Sequence, residues 1–183
     1  MKKIIQIFSL LFFILNSTNL ISQNIICHFK DKANLKGWEI VNDDVMGGVS
    51  KSNLKINEEG IGVFEGRIST AYNGGFASVR YDCKRIYINK NKNIILNIKG
   101  DKKEYKVRVK ANRDDYYSFT LPFKTSGEWE EIIIPLKDMY ASFRGRRLNM
   151  QNFNHDYFEQ ITLLIGNNRN EYFNLKIKSI SLK

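Results

Sequence analysis

From residue 25 onward, apolar and polar residues alternate with a period of two, a pattern that admits strands and little else. The runs are Ile25–Phe29, Trp38–Val41, Gly62–Ser69, Phe76–Tyr81, Ile94–Lys99, Tyr105–Lys110, Tyr117–Leu121, Glu130–Ile134, Ile161–Ile165 and Tyr172–Ile180. In the central ones the apolar face is plain: Ile94, Leu96 and Ile98, then Tyr105, Val107 and Val109, then Phe119 and Leu121. Asn-Gly, Asn-Lys-Asn and Gly-Asp-Lys-Lys turns punctuate them. Short strands at steady spacing with such turns predict an all-β sandwich or barrel. Asn73-Gly74 predicts a tight hairpin joining Gly62–Ser69 to Phe76–Tyr81. A single short helix is expected, around Phe153–Gln160.

Residues 1–22 read as a signal peptide rather than part of the fold: Lys2 and Lys3, an apolar run from Ile4 to Leu15, then a small polar stretch. The run is shorter than the ~20 residues a membrane span needs, so no stable span is expected after cleavage, and the protein is expected to be periplasmic or secreted. Residues 23–183 then form one domain, long enough to bury ~70% of its unfolded surface. The formal charge of +10 includes the leader's two lysines, and the remaining Lys residues are spread along the strands as a solvated surface. Export leaves nucleic acid outside the expected partners. In an oxidising compartment Cys27 and Cys83 either form a disulfide, contributing roughly 2–4 kcal/mol, or remain as buried thiols. Neither has a second ligand at short spacing, so no metal is expected at the cysteines; a loop Ca²⁺ on the oxygens of Asp43, Asp44 or Asp101 is the alternative to a metal-free chain, and no cofactor is expected.

Two glycine pairs mark the chain's most distinctive segment. Asp43 and Asp44 precede Met46-Gly47-Gly48, and Tyr72-Asn73-Gly74-Gly75-Phe76 precedes Arg80. Adjacent aspartates on a strand point to opposite faces, unlike a cooperating catalytic pair. One is expected to cap the Met46–Gly48 turn and the other, Asp43, to pair with Arg80, pinning the two bends together. His28 and His155 have no nucleophile motif beside them, and no catalytic residues are assigned. The long stretch Lys137–Phe153, with Tyr140, Arg144 and Arg146, is a candidate binding loop, because arginine forks suit carboxylate, sulfate or phosphate. Tyr72 and Tyr140 are the candidate exposed contact rings, whereas Trp38, Phe64, Phe76, Trp129 and Phe173 are assigned to the core.

These pieces resemble the complex I intermediate-associated protein family. Trp38, Asn42-Asp43, Val45–Gly48, Phe64–Gly66 and Asn73–Arg80 carry the resemblance. Gly100-Asp101 followed by Tyr105 is similar to that family's GDG-x-x-Y turn, with Lys102 in place of the second glycine. The resemblance implies a jelly-roll sandwich of the galactose-binding-like type and a non-enzymatic, assembly-factor-like role. Two partners follow as expectations: another protein, or a cell-surface or acidic glycan.

Overall fold

The computed structural model describes residues 24–30 and 35–183, so the leader expected over residues 1–22 lies outside it. Thirteen strands are described. They are β1 (Asn24–His28), β2 (Trp38–Asn42), β3 (Lys51–Ile56), β4 (Gly62–Ile68), β5 (Ala77–Tyr87), β6 (Asn93–Lys99) and β7 (Glu104–Lys110), followed by β8 (Ser118–Lys124), β9 (Trp129–Pro135), β10 (Tyr140–Phe143), β11 (Arg146–Arg147), β12 (Tyr157–Ile165) and β13 (Glu171–Leu182). They form two sheets, one in the order β3-β4-β13-β6-β9 with β1 also paired to β13, the other in the order β11-β10-β8-β7-β12-β5-β2. Every pairing is antiparallel.

The alternating residues explain the packing. Phe64, Leu96, Ile98, Leu175 and Ile177 of the six-stranded sheet meet Val79, Tyr105, Val107, Ile161 and Leu163 of the other in one core. From β4 to β7 the chain changes sheet at every step, as a jelly roll requires. For this reason the expected hairpin does not form. β4 pairs with β3 and β13, while β5 pairs with β2 and β12. Tyr72 and Asn73 both take positive φ (55° and 59°), and the turn carries the chain from one sheet to the other rather than back along β4.

Three other expectations are corrected. Tyr157–Ile165 is a strand and not a helix, its Phe158, Ile161, Leu163 and Ile165 buried and its pairing to β5 and β7 continuous across the sheet centre. Trp129 is 44% exposed, because it opens the edge strand β9 on the sheet's outer face. The stretch after Lys137 is partly ordered as a hairpin: Arg144 and Gly145, both at positive φ, turn β10 into β11. Cys27 and Cys83 are both free and buried, and burial pushes their thiols up to about 11 and about 12. Among the described residues no helix is long and apolar enough to cross a membrane.

Candidate functional site

Asp43 is the polar centre of the two glycine-bearing bends. It follows β2 directly, is only 1% exposed, and is bonded entirely to protein. Its Oδ1 accepts the Ser50 N–H at 2.9 Å, and its Oδ2 accepts the Ser50 hydroxyl at 2.5 Å and the Gly75 N–H at 2.6 Å. The Phe76 N–H approaches the same oxygen at 3.3 Å. Burial alone would push this carboxyl up. The hydrogen bonds from the Ser50 hydroxyl and the Gly75, Ser50 and Phe76 amides outweigh burial and hold it below the usual carboxylate range. The glycines follow from this: a Cβ at Gly48 would land on the Asp43 carboxyl, and one at Gly74 would lie 2.6 Å from its Oδ2. Gly47 and Gly75 take φ of +86° and +131°, where other residues are strained. The two bends are therefore clasped together as expected, but by backbone N–H groups and not by Arg80. Asp44 is exposed and accepts the neighbouring Val45 N–H.

Asp101 fastens a second turn in the same manner. It accepts the Tyr105 hydroxyl at 2.8 Å, the Lys103 ammonium at 2.6 Å and the Asn174 N–H at 3.0 Å. Lys102, standing where the family pattern has glycine, takes φ +65°. With their oxygens committed to N–H and O–H donors, Asp43 and Asp101 are structural groups. Among the described residues no cluster of three or more His, Cys, Asp or Glu is arranged to hold a metal ion.

Arg80 lies elsewhere, and its position reveals a face that sequence reasoning did not assemble. The register sets Arg80 opposite Glu39 on β2 and Thr162 on β12. Thr162 stands opposite Arg108 on β7, Arg108 opposite Thr120 on β8, and Thr120 opposite Tyr140 on β10. Residues directly opposite share a face, so Tyr140, Thr120, Arg108, Thr162, Arg80 and Glu39 form one rung across the outer side of the seven-stranded sheet. Six strands at ~4.8 Å spacing make it ~24 Å long.

The floor of this face is polar and covered. Thr120 is 2% and Thr162 5% exposed, and Ser142, bonded to the Thr120 hydroxyl at 2.6 Å, is equally hidden. Gln160 bonds Asp82 at 2.7 Å on the next rung. Arg108 is half-buried, and its Nε is shut off from solvent without an acceptor. Burial first, then the nearby Arg80 charge, pull its pKa down. Among the described residues Arg80, Arg108 and Lys106 form no salt bridge, while Lys110 is spent on the carbonyls of Arg113 and Asp115. At one end Arg147 lies over the Tyr140 ring, 4.8 Å from its centroid. Beyond Lys106 the face runs into an open hollow of about 460 Å³ lined by Lys102, Lys103, Lys106, Lys124 and Arg169. A similar hollow of about 450 Å³ lies on the opposite sheet against Trp129, Glu131 and Lys178, at the end of a row of Lys176, Lys99 and Trp129 in which Lys99 is paired to Glu128.

Of the residues singled out by sequence, Tyr140 and Arg80 lie on this rung four strands apart, and Tyr140 is half-buried beneath Arg147 and not the exposed ring expected. Arg144 and Arg146 sit on the exposed β10–β11 hairpin, Arg144 over its neighbour Phe143. Tyr72 and Asn73 are exposed at the second bend, near the clasp, where Tyr72 with Val45, Met46 and Val49 leaves apolar surface open. Arg108, Thr120 and Thr162 were missed, since an alternating strand reads the same whether its polar side is a plain surface or a site.

Comparison with known proteins agrees with this fold. The family 11 carbohydrate-binding module of cellulase Lic26A-Cel5E of Clostridium thermocellum is similar over 90% of this chain and 95% of its own, with a TM-score of 0.64 at 14% identity. The same family's module from Clostridium thermocellum in complex with a β-1,3-1,4-mixed-linked tetrasaccharide matches over 87% and 94%, with a TM-score of 0.63 at 14% identity. A family 29 carbohydrate-binding module matches over 88% and 87%, with a TM-score of 0.52 at 11% identity. No curated protein matches the chain. The model of the family described as complex I intermediate-associated protein 30 matches residues 27–177. With the clasped glycine bends and the jelly-roll sandwich inside that span, the chain belongs to the complex I intermediate-associated protein 30 family.

Proposed function

We propose that the protein is an exported, non-catalytic binding module that lays a glycan chain across the outer face of its seven-stranded sheet. The observation that carries this reading is the rung from Tyr140 to Arg80. A ring and two guanidiniums, with no carboxylate within ion-pair distance of either guanidinium among the described residues, stand in one line ~19 Å long over a floor of threonines, suited to an extended polar ligand. The structural likeness to carbohydrate-binding modules supports it, one of them being described with a bound tetrasaccharide. The basic and apolar start of the chain supports export, which brings the face to cell-surface glycans. Asp43 and Asp101, their oxygens taken up by protein donors, act as fasteners of the loops.

A second reading has its own observation. Val45, Met46, Val49 and Tyr72 are 47–75% exposed on the two bends that Asp43 clasps, an apolar tip suited to a protein partner. The family's description as complex I intermediate-associated supports an assembly-factor-like contact there. Affinity electrophoresis in gels cast with a panel of polysaccharides separates the two. The glycan reading expects retardation that Tyr140→Ala reduces several-fold and that a Met46→Asp, Tyr72→Ser double variant leaves intact. Retardation by none of the polysaccharides would contradict it.

A further inference from the structure

The next inference rests on that glycan reading of the sheet face and narrows the ligand. Arg80 and Arg108 flank Thr162 on a single rung, two strands apart, so their backbones are ~10 Å from one another. Both side chains rise from the same face, and at that separation two guanidiniums can converge on one planar anion. Neither has a carboxylate partner within ion-pair distance among the described residues. Arg108 also keeps a buried Nε–H with no acceptor, an arrangement that is costly in the empty protein and relieved by an incoming oxygen. Two residues along β7, on the same side, Lys106 continues the positive line into the hollow where Lys102 and Lys124 stand. The acidic groups of the face, Glu39 and Asp82, sit toward the β2–β5 edge, and Glu104 lies beside Lys124 at the far end of β7. A negative chain is thereby steered along the Arg80–Arg108–Lys106 diagonal rather than over the β2 edge.

We propose that the glycan is anionic, and that one of its carboxylate or sulfate groups is held between Arg80 and Arg108 with the sugar ring resting over Thr162 and Thr120. A guanidinium pair reads such a group by its oxygens, whereas the neutral hydroxyls of a plain glucan leave both charges unmatched.

The test is titration of the cleaved, full-domain protein with polygalacturonate, carboxyl-reduced polygalacturonate, dextran sulfate and neutral mixed-linkage β-glucan, at low and at physiological salt. The expected result is binding to the uronate or the sulfated polymer that weakens at least tenfold in Arg108→Gln and in Arg80→Gln, and that salt diminishes. Loss in the carboxyl-reduced polymer identifies a carboxylate as the group held; retention by dextran sulfate alone identifies a sulfate. Because Arg108→Gln removes a half-buried charge, its unfolding midpoint is expected to equal or exceed the parent's, and Arg80→Gln, on a different strand, tests the clamp independently. Lys178→Gln on the opposite sheet controls for diffuse attraction to a basic protein. Equal weakening by Lys178→Gln, or undiminished binding in both arginine variants, would overturn the anion clamp. Equally tight binding of the neutral β-glucan would overturn it too, while leaving the glycan reading standing. Binding of no polymer at all would remove the reading beneath it.

Discussion

Asp43 concentrates more hydrogen bonding than any other carboxylate described in the sandwich, and its protonation sets the first prediction. Asn at this position keeps one acceptor oxygen and turns its NH2 donor toward either the Ser50 amide or the Gly75 and Phe76 amides. Asp43→Asn is therefore expected to lower stability by about 3 kcal/mol, measured by denaturant unfolding. Its folded-state carboxyl is held below the ordinary range. The stability it contributes is thus present in full above the unfolded-state value, and is lost as pH falls below about 4 through the folded value. An acid unfolding series should show this limb in the parent and a flatter one in the variant. Lys102, at φ +65° where its relatives' pattern has glycine, makes the opposite case. Lys102→Gly is expected to raise stability by about 0.5–1 kcal/mol, and an unchanged or lower midpoint would show that Lys102 is unstrained there. The buried thiols give a third. Cys27 and Cys83, raised by burial to about 11 and about 12, should stay unreactive toward a thiol-specific reagent in the native protein at pH 8. Both should titrate after unfolding without reductant; if neither does, they are disulfide-bonded.

At the scale of elements, strands with one clean apolar face were legible because burial there follows the period directly. Tyr105, Val107 and Val109 of β7, and Phe173, Leu175 and Ile177 of β13, are all buried as their spacing requires. β3 was not legible, since Lys51–Ile56 alternates partly buried with exposed residues and has no strong apolar run. The segment after Phe153 was misread because its polar residues, Asn154, His155 and Asp156, precede a strand whose neighbours come from β5 and β7, far away in sequence. Trp129 reads as core among the other aromatics, yet it lies on the outer, solvent-facing side of the edge strand β9. Pairing is the quantity that periodicity omits. For the same reason the clasp was foreseen with the wrong partner: proximity of two bends was readable from glycine pairs, but that Arg80 lies on the outward side of β5 follows only from register. At this scale the account predicts that Gly66→Ala is disruptive. A Cβ there would press on the Lys51 carbonyl and the Ser52 backbone across the β3–β4 pair. A loss of about 2 kcal/mol or more is expected by thermal unfolding, and a silent substitution would mean that β3 can move aside.

The molecule as a whole has two unlike outer surfaces. The six-stranded sheet presents Ile25, Trp129 and Ile133 beside lysines such as Lys55 and Lys99 that are paired to glutamates, whereas the seven-stranded sheet presents guanidiniums, Arg80 and Arg108, that form no salt bridge among the described residues. The second sets a tyrosine, two threonines and two arginines from five strands in one row, with Glu39 of a sixth strand at its end, and no linear reading brings together positions as distant as Glu39, Arg108 and Thr162. The fold class and the clasped bends were therefore within reach of the sequence, and the row across the outer side of the seven-stranded sheet was not. The most direct measurement is a two-dimensional amide NMR titration of residues 24–183 with a tetragalacturonate. The account predicts that shifts concentrate on Arg80, Arg108, Thr120, Tyr140 and Thr162. Shifts confined to Met46 and Tyr72 at the bends, or to Asn97 and Trp129 on the opposite sheet, would contradict it.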